Sequence, residues 1–332
     1  MNNKKILISG AAGFIGSHFV EHILAKTNYD IIAIDSLTYA SKELDRLREE
    51  GFLSHPRVKF IAADLRLPFS HGVVREIGKG VNIIVHMAAE SHVDNSIPTP
   101  RIFLDSNVKG TLELLEYART LDSLENFFYF STDEVFGTAP EGTSYEEWDR
   151  HKPTNPYSAS KSAAEGFCIS YENTFNLPLM IINNMNVFGA RQHVEKYIPN
   201  TIRKILHREK VLVHSYPDKD KAGTRFYIHA RNVAAAVLFL LEKGTIGEKY
   251  HIVGEKEVSN LEIAQLIAKY MDQPLDYEMV DFHSNRPGHD LRYALTDTKM
   301  HKLGWKLPVS FEESLRNTIQ WTLDNPHWLE FD

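Results

Sequence analysis

Tyr157 and Lys161 lie four residues apart in the segment Tyr-Ser-Ala-Ser-Lys. On a helix this spacing places the phenol and the ammonium group on one face. A nearby cation favours the phenolate form of a tyrosine, so Tyr157 could serve as a base near neutral pH. A Tyr-x-x-x-Lys pair is also common by chance, and its interpretation depends on the motifs around it.

Upstream of that pair, Thr132, Asp133 and Glu134 directly follow the apolar run 127–131. Two adjacent carboxyl groups that are driven toward opposite protonation states can act as a general acid and a general base. The alternative is that Asp133 and Glu134 only cap or solvate the end of a strand. Ligands of parallel α/β sheets bind at the carboxyl ends of the strands, which favours the catalytic interpretation.

A glycine-rich turn, Gly10-Ala-Ala-Gly13-Phe-Ile-Gly16, lies between an apolar run and an amphipathic segment. Glycines allow a sharp turn and let a pyrophosphate approach the N-terminus of the following helix. Asp35 ends the next apolar run, where a carboxylate would bind ribose hydroxyls and repel a 2′-phosphate, which favours NAD over NADP. The alternative is a helix-capping Asp35 in a ligand-free domain. A positively charged nicotinamide would also favour the phenolate of Tyr157.

The elements that must position these residues are short apolar runs that alternate with helical patterns. Runs rich in Ile, Val, Phe and Ala are typical of strands that are buried on both faces of a parallel sheet. We predict such strands at Lys5–Ser9, Ile31–Asp35, Val58–Ala63, Ile83–Ala88, Phe127–Ser131 and Leu179–Asn183.

This alternation predicts an α/β fold, a doubly wound parallel Rossmann sheet followed by a smaller mixed α/β domain. We predict that residues 1–187 form the NAD-binding domain, joined by part of 225–250. Residues 188–332 would mainly bind the substrate. In that part, helical patterns cover Ala230–Leu241, Leu261–Tyr270 and Phe311–Leu323, and we predict shorter strands at Val211–Val213, Phe226–His229 and Tyr250–Val253.

Composition narrows the function classes. The chain has 332 residues and a net charge of −7, which argues against nucleic acid as a partner. We see no apolar run long enough to span a membrane and no signal peptide. Its one cysteine, Cys168, cannot form an intramolecular disulfide, so we expect a cytoplasmic location. The histidines show no metal-ligand spacing, and we expect no metal site.

Taken together, the motifs resemble the extended short-chain dehydrogenase/reductases over nearly the whole chain. Within them, Ser131–Gly137 is similar to the Thr-Asp-Glu motif of dTDP-glucose 4,6-dehydratases, with Phe136 where the family usually has Tyr. The segments that also resemble this subfamily are 35–40, 88–94, 195–199 and 286–293.

The resemblance implies an NAD-dependent lyase that acts on a nucleoside-diphosphate hexose in deoxysugar biosynthesis. Tyr157 would take the C4 hydroxyl proton while hydride leaves C4, and Thr132 would hold that oxygen. Glu134 would then remove the C5 proton, and Asp133 would protonate the departing C6 hydroxyl. Return of the hydride to C6 would give a 4-keto-6-deoxy sugar. The resemblance also implies a homodimer through a four-helix interface of residues 101–120 and 157–175.

Further site residues follow from the same resemblance. The catalytic residues would be Thr132, Asp133, Glu134, Tyr157 and Lys161. The NAD site would be formed by Gly10, Gly13, Phe14, Ile15, Gly16, Asp35, Ser36, Leu37, Thr38, Asp64, Leu65, Met87, Ala88, Ala89, Ser106, Tyr157 and Lys161. The substrate pocket would be formed by Ser91, Thr132, Asn186, Glu195, Lys196, Arg225, Asn260, Arg286 and His289.

The sequence departs from the subfamily at several positions outside the catalytic motifs, among them Asn95, Val187 and the loop Tyr216–Thr224. These departures leave the nucleotide base and the hexose open. The substrate could be dTDP-glucose, UDP-glucose or a related hexose. Two other functions remain: a UDP-sugar 4-epimerase or decarboxylase on the same scaffold, and a catalytically silent NAD-binding regulator.

Overall fold

The computed structural model describes residues 3–42, 44–281 and 291–330. The chain forms two compact units, each assembled from three segments. The first unit contains Met1–Val135, Arg150–Asn183 and Ala234–Tyr250. The second contains Phe136–Asp149, Asn184–Val233 and His251–Asp332. The predicted division, residues 1–187 joined by part of 225–250 and then mainly 188–332, stays a prediction, as does the binding role of each unit.

The strands alternate with helices along most of the chain. The strands are β1 (Lys5–Ser9), β2 (Asp30–Asp35), β3 (Val58–Ala62), β4 (Val81–His86), β5 (Asn126–Thr132), β6 (Leu179–Asn184), β7 (Asn186–Phe188), β8 (Val211–Ser215), β9 (Thr224–His229), β10 (Lys249–Ile252), β11 (Glu257–Ser259) and β12 (Tyr277–Asp281). The α-helices of the described residues are α1 (Phe14–Lys26), α2 (Asp45–Arg48), α3 (His71–Ile77), α4 (Val93–Ser96), α5 (Pro100–Phe103), α6 (Gly110–Ala118), α7 (Pro156–Phe175), α8 (Tyr197–Leu206), α9 (Ala230–Lys243), α10 (Asn260–Tyr270), α11 (Thr298–Lys302) and α12 (Phe311–Asp324).

A seven-stranded sheet has the order β10-β6-β5-β4-β1-β2-β3. The pairs β1–β2, β1–β4, β2–β3 and β4–β5 are parallel. The central strands are almost fully buried, because their Ile, Val and Phe side chains pack against helices on both faces. The order changes direction at β1, which confirms the predicted doubly wound Rossmann fold.

A capping box at Asn155 and Ser158 defines the start of helix α7. The side chain of Asn155 accepts a hydrogen bond from the backbone N–H of Ser158, and the Ser158 hydroxyl accepts one from the N–H of Asn155. Pro156 occupies the first helical position, where its missing N–H costs nothing. This capping box fixes the start of the helix, and therefore the face on which Tyr157 and Lys161 lie.

The helix that we predict at 101–120 is interrupted in its middle. A π-helical segment, Leu104–Lys109, separates α5 from α6. Such segments insert an extra residue into a turn and often accompany functional sites. Here the segment carries Asn107, whose side chain is 1% exposed.

The second unit contains smaller sheets. One has the order β11-β9-β7, and the other pairs β12 with β8 in parallel. Ser259 and Ser310 cap α10 and α12 by accepting hydrogen bonds from the backbone N–H groups of Glu262 and Glu313. In neither unit does a helix of the described residues have the length and apolar character needed to cross a membrane.

Candidate active site

The glycine-rich turn follows β1 and leads into α1. Gly10 has a φ of +72°, and a side-chain Cβ there would lie 2.7 Å from the backbone nitrogen of Ala88. A Cβ at Gly16 would lie 2.0 Å from the carbonyl oxygen of Gly10. Gly13 is the N-cap of α1 and has no side chain that could cap the first N–H groups of the helix. This arrangement fits the pyrophosphate of a dinucleotide.

Asp35 ends β2 beside this turn. Its carboxylate accepts hydrogen bonds from the N–H groups of Ala12, at 3.0 Å, and Leu37, at 2.8 Å. Burial raises the pKa of the Asp35 carboxyl, while these amide groups and the charge of Arg46 act in the opposite direction. Arg46 is 0% exposed, and its Nη1 donates to the carbonyl oxygen of Ala12. Asp35 is therefore held in place before any ribose hydroxyl reaches it.

The other predicted NAD-site residues lie where the parallel strands end. Since β1 to β5 run in parallel, their carboxyl ends share one edge of the sheet. Phe14 and Ile15 open α1, and Ser106 lies in the π-helical segment. The residues that follow β2, β3 and β4 at this edge are Ser36, Leu37, Thr38, Asp64, Leu65, Met87, Ala88 and Ala89. These positions fit a bound dinucleotide, and the individual contacts stay a prediction.

Thr132, Asp133 and Glu134 lie where β5 ends and a 3₁₀ turn, Asp133–Phe136, begins. The Thr132 hydroxyl donates to Oδ1 of Asp133 at 2.9 Å and accepts from the backbone N–H of Glu134 at 3.3 Å. Nδ2 of Asn155 donates to Oε2 of Glu134 at 3.4 Å. Thr132 and Asp133 are buried, at 6% and 4% exposed. The hydroxyl and both carboxyl groups are therefore held close together.

Tyr157 faces this group from the first turn of α7. Burial raises the pKa of Tyr157, and the charges of Glu134 and Asp133 raise it further, while its hydrogen bond with Thr132 lowers it. The charges of both carboxylates therefore act on the phenol. The pKa shift itself differs from our expectation of an accessible phenolate, because desolvation and two negative charges outweigh the hydrogen bond.

Lys161 contacts β5 through its ammonium group. Its Nζ donates to the carbonyl oxygen of Phe130 at 2.5 Å and lies 4.4 Å from the centre of the Tyr129 ring. Burial lowers the pKa of Lys161 to about 8, against the opposing charge of Glu165. The ammonium group is therefore fixed between the strand and the helix.

The predicted substrate residues are divided between the units. Ser91 lies in the first unit, after β4. In the second unit, Asn186 begins β7, and Glu195 and Lys196 precede α8 with their charged groups 3.7 Å apart. Arg286 and His289 lie outside the described residues.

Two further residues that we predict to bind the substrate lie in the second unit. Arg225, on β9, donates from Nη1 to the carbonyl oxygens of Thr224 and Leu291, and its guanidinium lies 4.6 Å from the centre of the Tyr293 ring. Oδ1 of Asn260, at the start of α10, accepts from the Tyr227 hydroxyl at 2.9 Å. Whether these side chains bind a sugar nucleotide stays a prediction.

Comparison with known proteins places the chain in a family. Residues 7–318 match the family model of GDP-mannose 4,6-dehydratase. The low-salt glycan biosynthesis protein Agl12 of Haloferax volcanii is 38% identical, over 96% of this chain and 98% of that protein. The dTDP-glucose 4,6-dehydratase of Haemophilus influenzae is 34% identical, over 96% of this chain and 98% of its own length.

The chain belongs to the GDP-mannose 4,6-dehydratase family. A solved structure agrees with this assignment. The dTDP-glucose 4,6-dehydratase DesIV of Streptomyces venezuelae, crystallised with NAD, has a TM-score of 0.86 and 34% identity, over 98% of this chain and 99% of that one. The chain is therefore an NAD-dependent nucleotide-sugar 4,6-dehydratase, which confirms the predicted resemblance, fold, enzyme class and cofactor.

The structure also shows a buried residue beside α7 that the sequence motifs did not indicate. Asn107 accepts from the N–H of Glu90 and donates to the Glu90 carbonyl oxygen and to the Ser160 hydroxyl. It thereby connects the loop after β4 to the helix turn between Tyr157 and Lys161. Its position depends on the π-helical segment, which no sequence pattern predicts.

Proposed function

We propose that the dehydratase converts a nucleoside-diphosphate hexose to the 4-keto-6-deoxy sugar with Thr132, Asp133, Glu134, Tyr157 and Lys161 as its catalytic residues. The observation that carries these assignments is the convergence of Thr132, Asp133 and Glu134 on the phenol of Tyr157. A dehydration of this kind needs a base for the hydroxyl proton, a base for a carbon-bound proton and an acid for the departing water.

The bound cofactor supplies a hydride acceptor in its oxidised form and a hydride donor in its reduced form. Tyr157 accepts the C4 hydroxyl proton, and the Thr132 hydroxyl holds the same oxygen. The new ketone acidifies the C5 proton, which the Glu134 carboxylate removes. Asp133 donates a proton to the C6 hydroxyl, which leaves as water.

The chain's own groups leave Tyr157 protonated near neutral pH, because burial and the two carboxylates raise its pKa. The positive charge of an oxidised nicotinamide opposes these effects. We infer that Tyr157 becomes a base only after NAD⁺ has bound. This order would prevent proton removal from the sugar before a hydride acceptor is in place.

The identity of the substrate, both its nucleotide base and its hexose, belongs to this proposal as well. The H. influenzae relative is a dTDP-glucose 4,6-dehydratase, as is DesIV. We propose dTDP-glucose as the first substrate to test, with UDP-glucose as the second. Arg225 is suited to the diphosphate, since a guanidinium group pairs with phosphate oxygens in a fixed geometry.

We further propose a homodimer in the cytoplasm. Tyr171, on α7, donates a hydrogen bond to Glu116 on α6, so these helices lie side by side. Phe167 and Phe175 on α7 are 37% and 41% exposed, although both are large apolar residues. A second copy packed on the same helices would cover these rings in an isologous interface. Sedimentation of the purified protein tests this assembly.

Incubation with hexoses linked to dTDP, UDP, CDP and GDP in heavy water tests the activity. The proposal expects one nucleotide series to give a keto sugar with a C6 methyl group and solvent deuterium at C5, which NMR spectroscopy identifies. A product with an intact C6 hydroxymethyl group and inverted C4 would contradict it and indicate an epimerase.

A further inference from the structure

A buried ion pair lies within the first unit, between two residues to which the mechanism gives no chemical role. Nζ of Lys249, on β10, lies 2.7 Å from Oε2 of Glu165, on α7. The two side chains are 2% and 0% exposed. An ion pair this deeply buried seldom stabilises a fold more than apolar side chains of the same volume would. Its position relative to the active site therefore suggests another role.

Glu165 connects this ion pair to the catalytic strand through Asn183. Nδ2 of Asn183, on β6, donates to Oε1 of Glu165 at 2.8 Å and to the carbonyl oxygen of Thr132 at 3.0 Å. Asn183 is 0% exposed, and its Oδ1 has no hydrogen-bond partner in the part of the chain that the structure describes. Leaving a buried acceptor unsatisfied costs free energy. The orientation of the Asn183 side chain is therefore set by the two hydrogen bonds that its Nδ2 donates.

His151 extends the same network toward the surface. Its Nε2 lies 3.1 Å from Nζ of Lys249 and 3.4 Å from Oε2 of Glu165, and its Nδ1 lies 2.8 Å from the Ser162 hydroxyl. Burial lowers the pKa of His151, which favours the neutral ring between its charged neighbours. Lys249, Glu165 and His151 thus form one compact cluster in which each side chain contacts the other two.

We propose that Lys249 is a positioning residue of the dehydratase. The ion pair fixes the carboxylate of Glu165, which orients Asn183, and Asn183 anchors the backbone of Thr132 where the Thr132–Asp133–Glu134 segment begins. This inference rests on the role proposed for Thr132. Without the Lys249 charge, Glu165 is a buried carboxylate without its compensating cation, and the anchor at Thr132 is no longer fixed.

The Lys249→Met variant tests this inference. With dTDP-glucose as substrate we expect kcat to fall about 10- to 100-fold, the effect of a small misplacement of catalytic groups. KM and the affinity for NAD should stay within about twofold of the wild-type values, because the contacts that bind them remain. Asn183→Ala cuts the anchor directly and should lower kcat by a similar factor.

A double variant separates positioning from simple loss of stability. In Lys249→Met with Glu165→Gln, neither member of the ion pair is charged, and the glutamine oxygen still accepts from Asn183. We expect this variant to recover most of kcat. Lys4→Met is the matched control, because it breaks a lysine–glutamate pair at 2.6 Å whose side chains are 44% and 45% exposed. It should leave kcat unchanged.

Hydrogen exchange of residues 127–135 tests the same inference without substrate. Exchange in this segment should accelerate in Lys249→Met and Asn183→Ala, and return toward the wild-type rate in the double variant. If the protein does not turn over the sugar nucleotide, kcat cannot be compared between the variants, but the exchange rates still test the inference. Wild-type kcat and wild-type exchange in Asn183→Ala would overturn the inference, even if Lys249→Met did not fold.

Discussion

The Thr132 hydroxyl donates a hydrogen bond to Oδ1 of Asp133 at 2.9 Å. The side chain that we expect to hold the sugar C4 oxygen is therefore also bonded to the acid that we expect to protonate the C6 hydroxyl. One hydroxyl group then orients two steps of the reaction. Its removal should affect the rate of turnover more than the binding of substrate.

Thr132→Val keeps the β-branched shape and removes only the hydroxyl. We expect kcat to fall about 100-fold, the loss typical when a single donor to a developing charge is removed. Thr132→Ser keeps the hydroxyl and should lose less than about 10-fold. Formation of the keto sugar in the steady state measures both. Little loss in Thr132→Val together with a large loss in Thr132→Ser would show that the shape of the side chain matters and its hydroxyl does not.

Asp35→Asn should change the choice of cofactor. The wild-type carboxylate repels a 2′-phosphate, whereas an amide keeps the hydrogen-bond acceptor without the charge. We expect the ratio of the NADP to the NAD dissociation constant to fall at least about 10-fold, or about 1.4 kcal/mol. Isothermal titration calorimetry measures both constants. Asp45→Asn, in an exposed pair with Arg48, is the control. A wild-type protein that binds both cofactors equally well would contradict the role of Asp35.

Gly16→Ala should destabilise the first unit even in the absence of the cofactor. The added Cβ would lie 2.0 Å from the Gly10 carbonyl oxygen and 2.8 Å from the Cα of Ala11, and both are backbone atoms that cannot move aside. Overpacking of this kind costs about 1–3 kcal/mol or more. Gly72→Ala, in α3, meets only the Ser70 hydroxyl at 3.5 Å and should stabilise by about 0.5–1 kcal/mol. Thermal unfolding distinguishes the two, and an unchanged midpoint for Gly16→Ala would contradict the packing described here.

His86 should make the fold sensitive to acid. It lies between the hydroxyls of Ser9 and Thr111, and burial, followed by the charge of Lys161, lowers the pKa of His86 from 6.5 to about 3. Below about pH 6.5 the unfolded chain takes up a proton that the folded chain does not. Through His86, the free energy of unfolding therefore decreases by about 1.4 kcal/mol per pH unit as the pH falls from about 6.5 to 3.

His86→Asn removes this titration and tests its sign. The variant should be less stable than the wild type at about pH 7.5, because a buried ring is lost. Its thermal midpoint should fall less than that of the wild type between about pH 7.5 and 5. A parallel fall in both proteins would mean that His86 does not titrate as described.

The sequence indicated the first unit well because its strands are long, apolar and buried on both faces. It did not indicate β7, β11 or β12. These strands are short or half exposed, so their residues lack a continuous apolar run. The Tyr157–Lys161 face was also predictable, because helical spacing is a local property of the chain.

The network around Glu165 was not predictable in the same way. Asn183 and Lys249 reach Glu165 only after β6 and β10 have joined the sheet, and nothing in the spacing of their residues indicates the contact. Likewise, the lowered accessibility of the Tyr157 phenolate depends on its burial near two carboxylates. Sequence shows which residues are present, whereas desolvation depends on the packed structure.

The direct test of the account compares Glu134→Gln with Tyr157→Phe in a single turnover of the NAD-loaded enzyme with dTDP-glucose. Glu134→Gln should still oxidise C4 and then stop before elimination, so the absorbance of NADH should rise and persist. Tyr157→Phe should form almost no NADH, because no base takes the C4 hydroxyl proton. If both variants lost NADH formation to the same extent, Glu134 would not be the base that acts after oxidation, and the assignment of separate roles would be wrong.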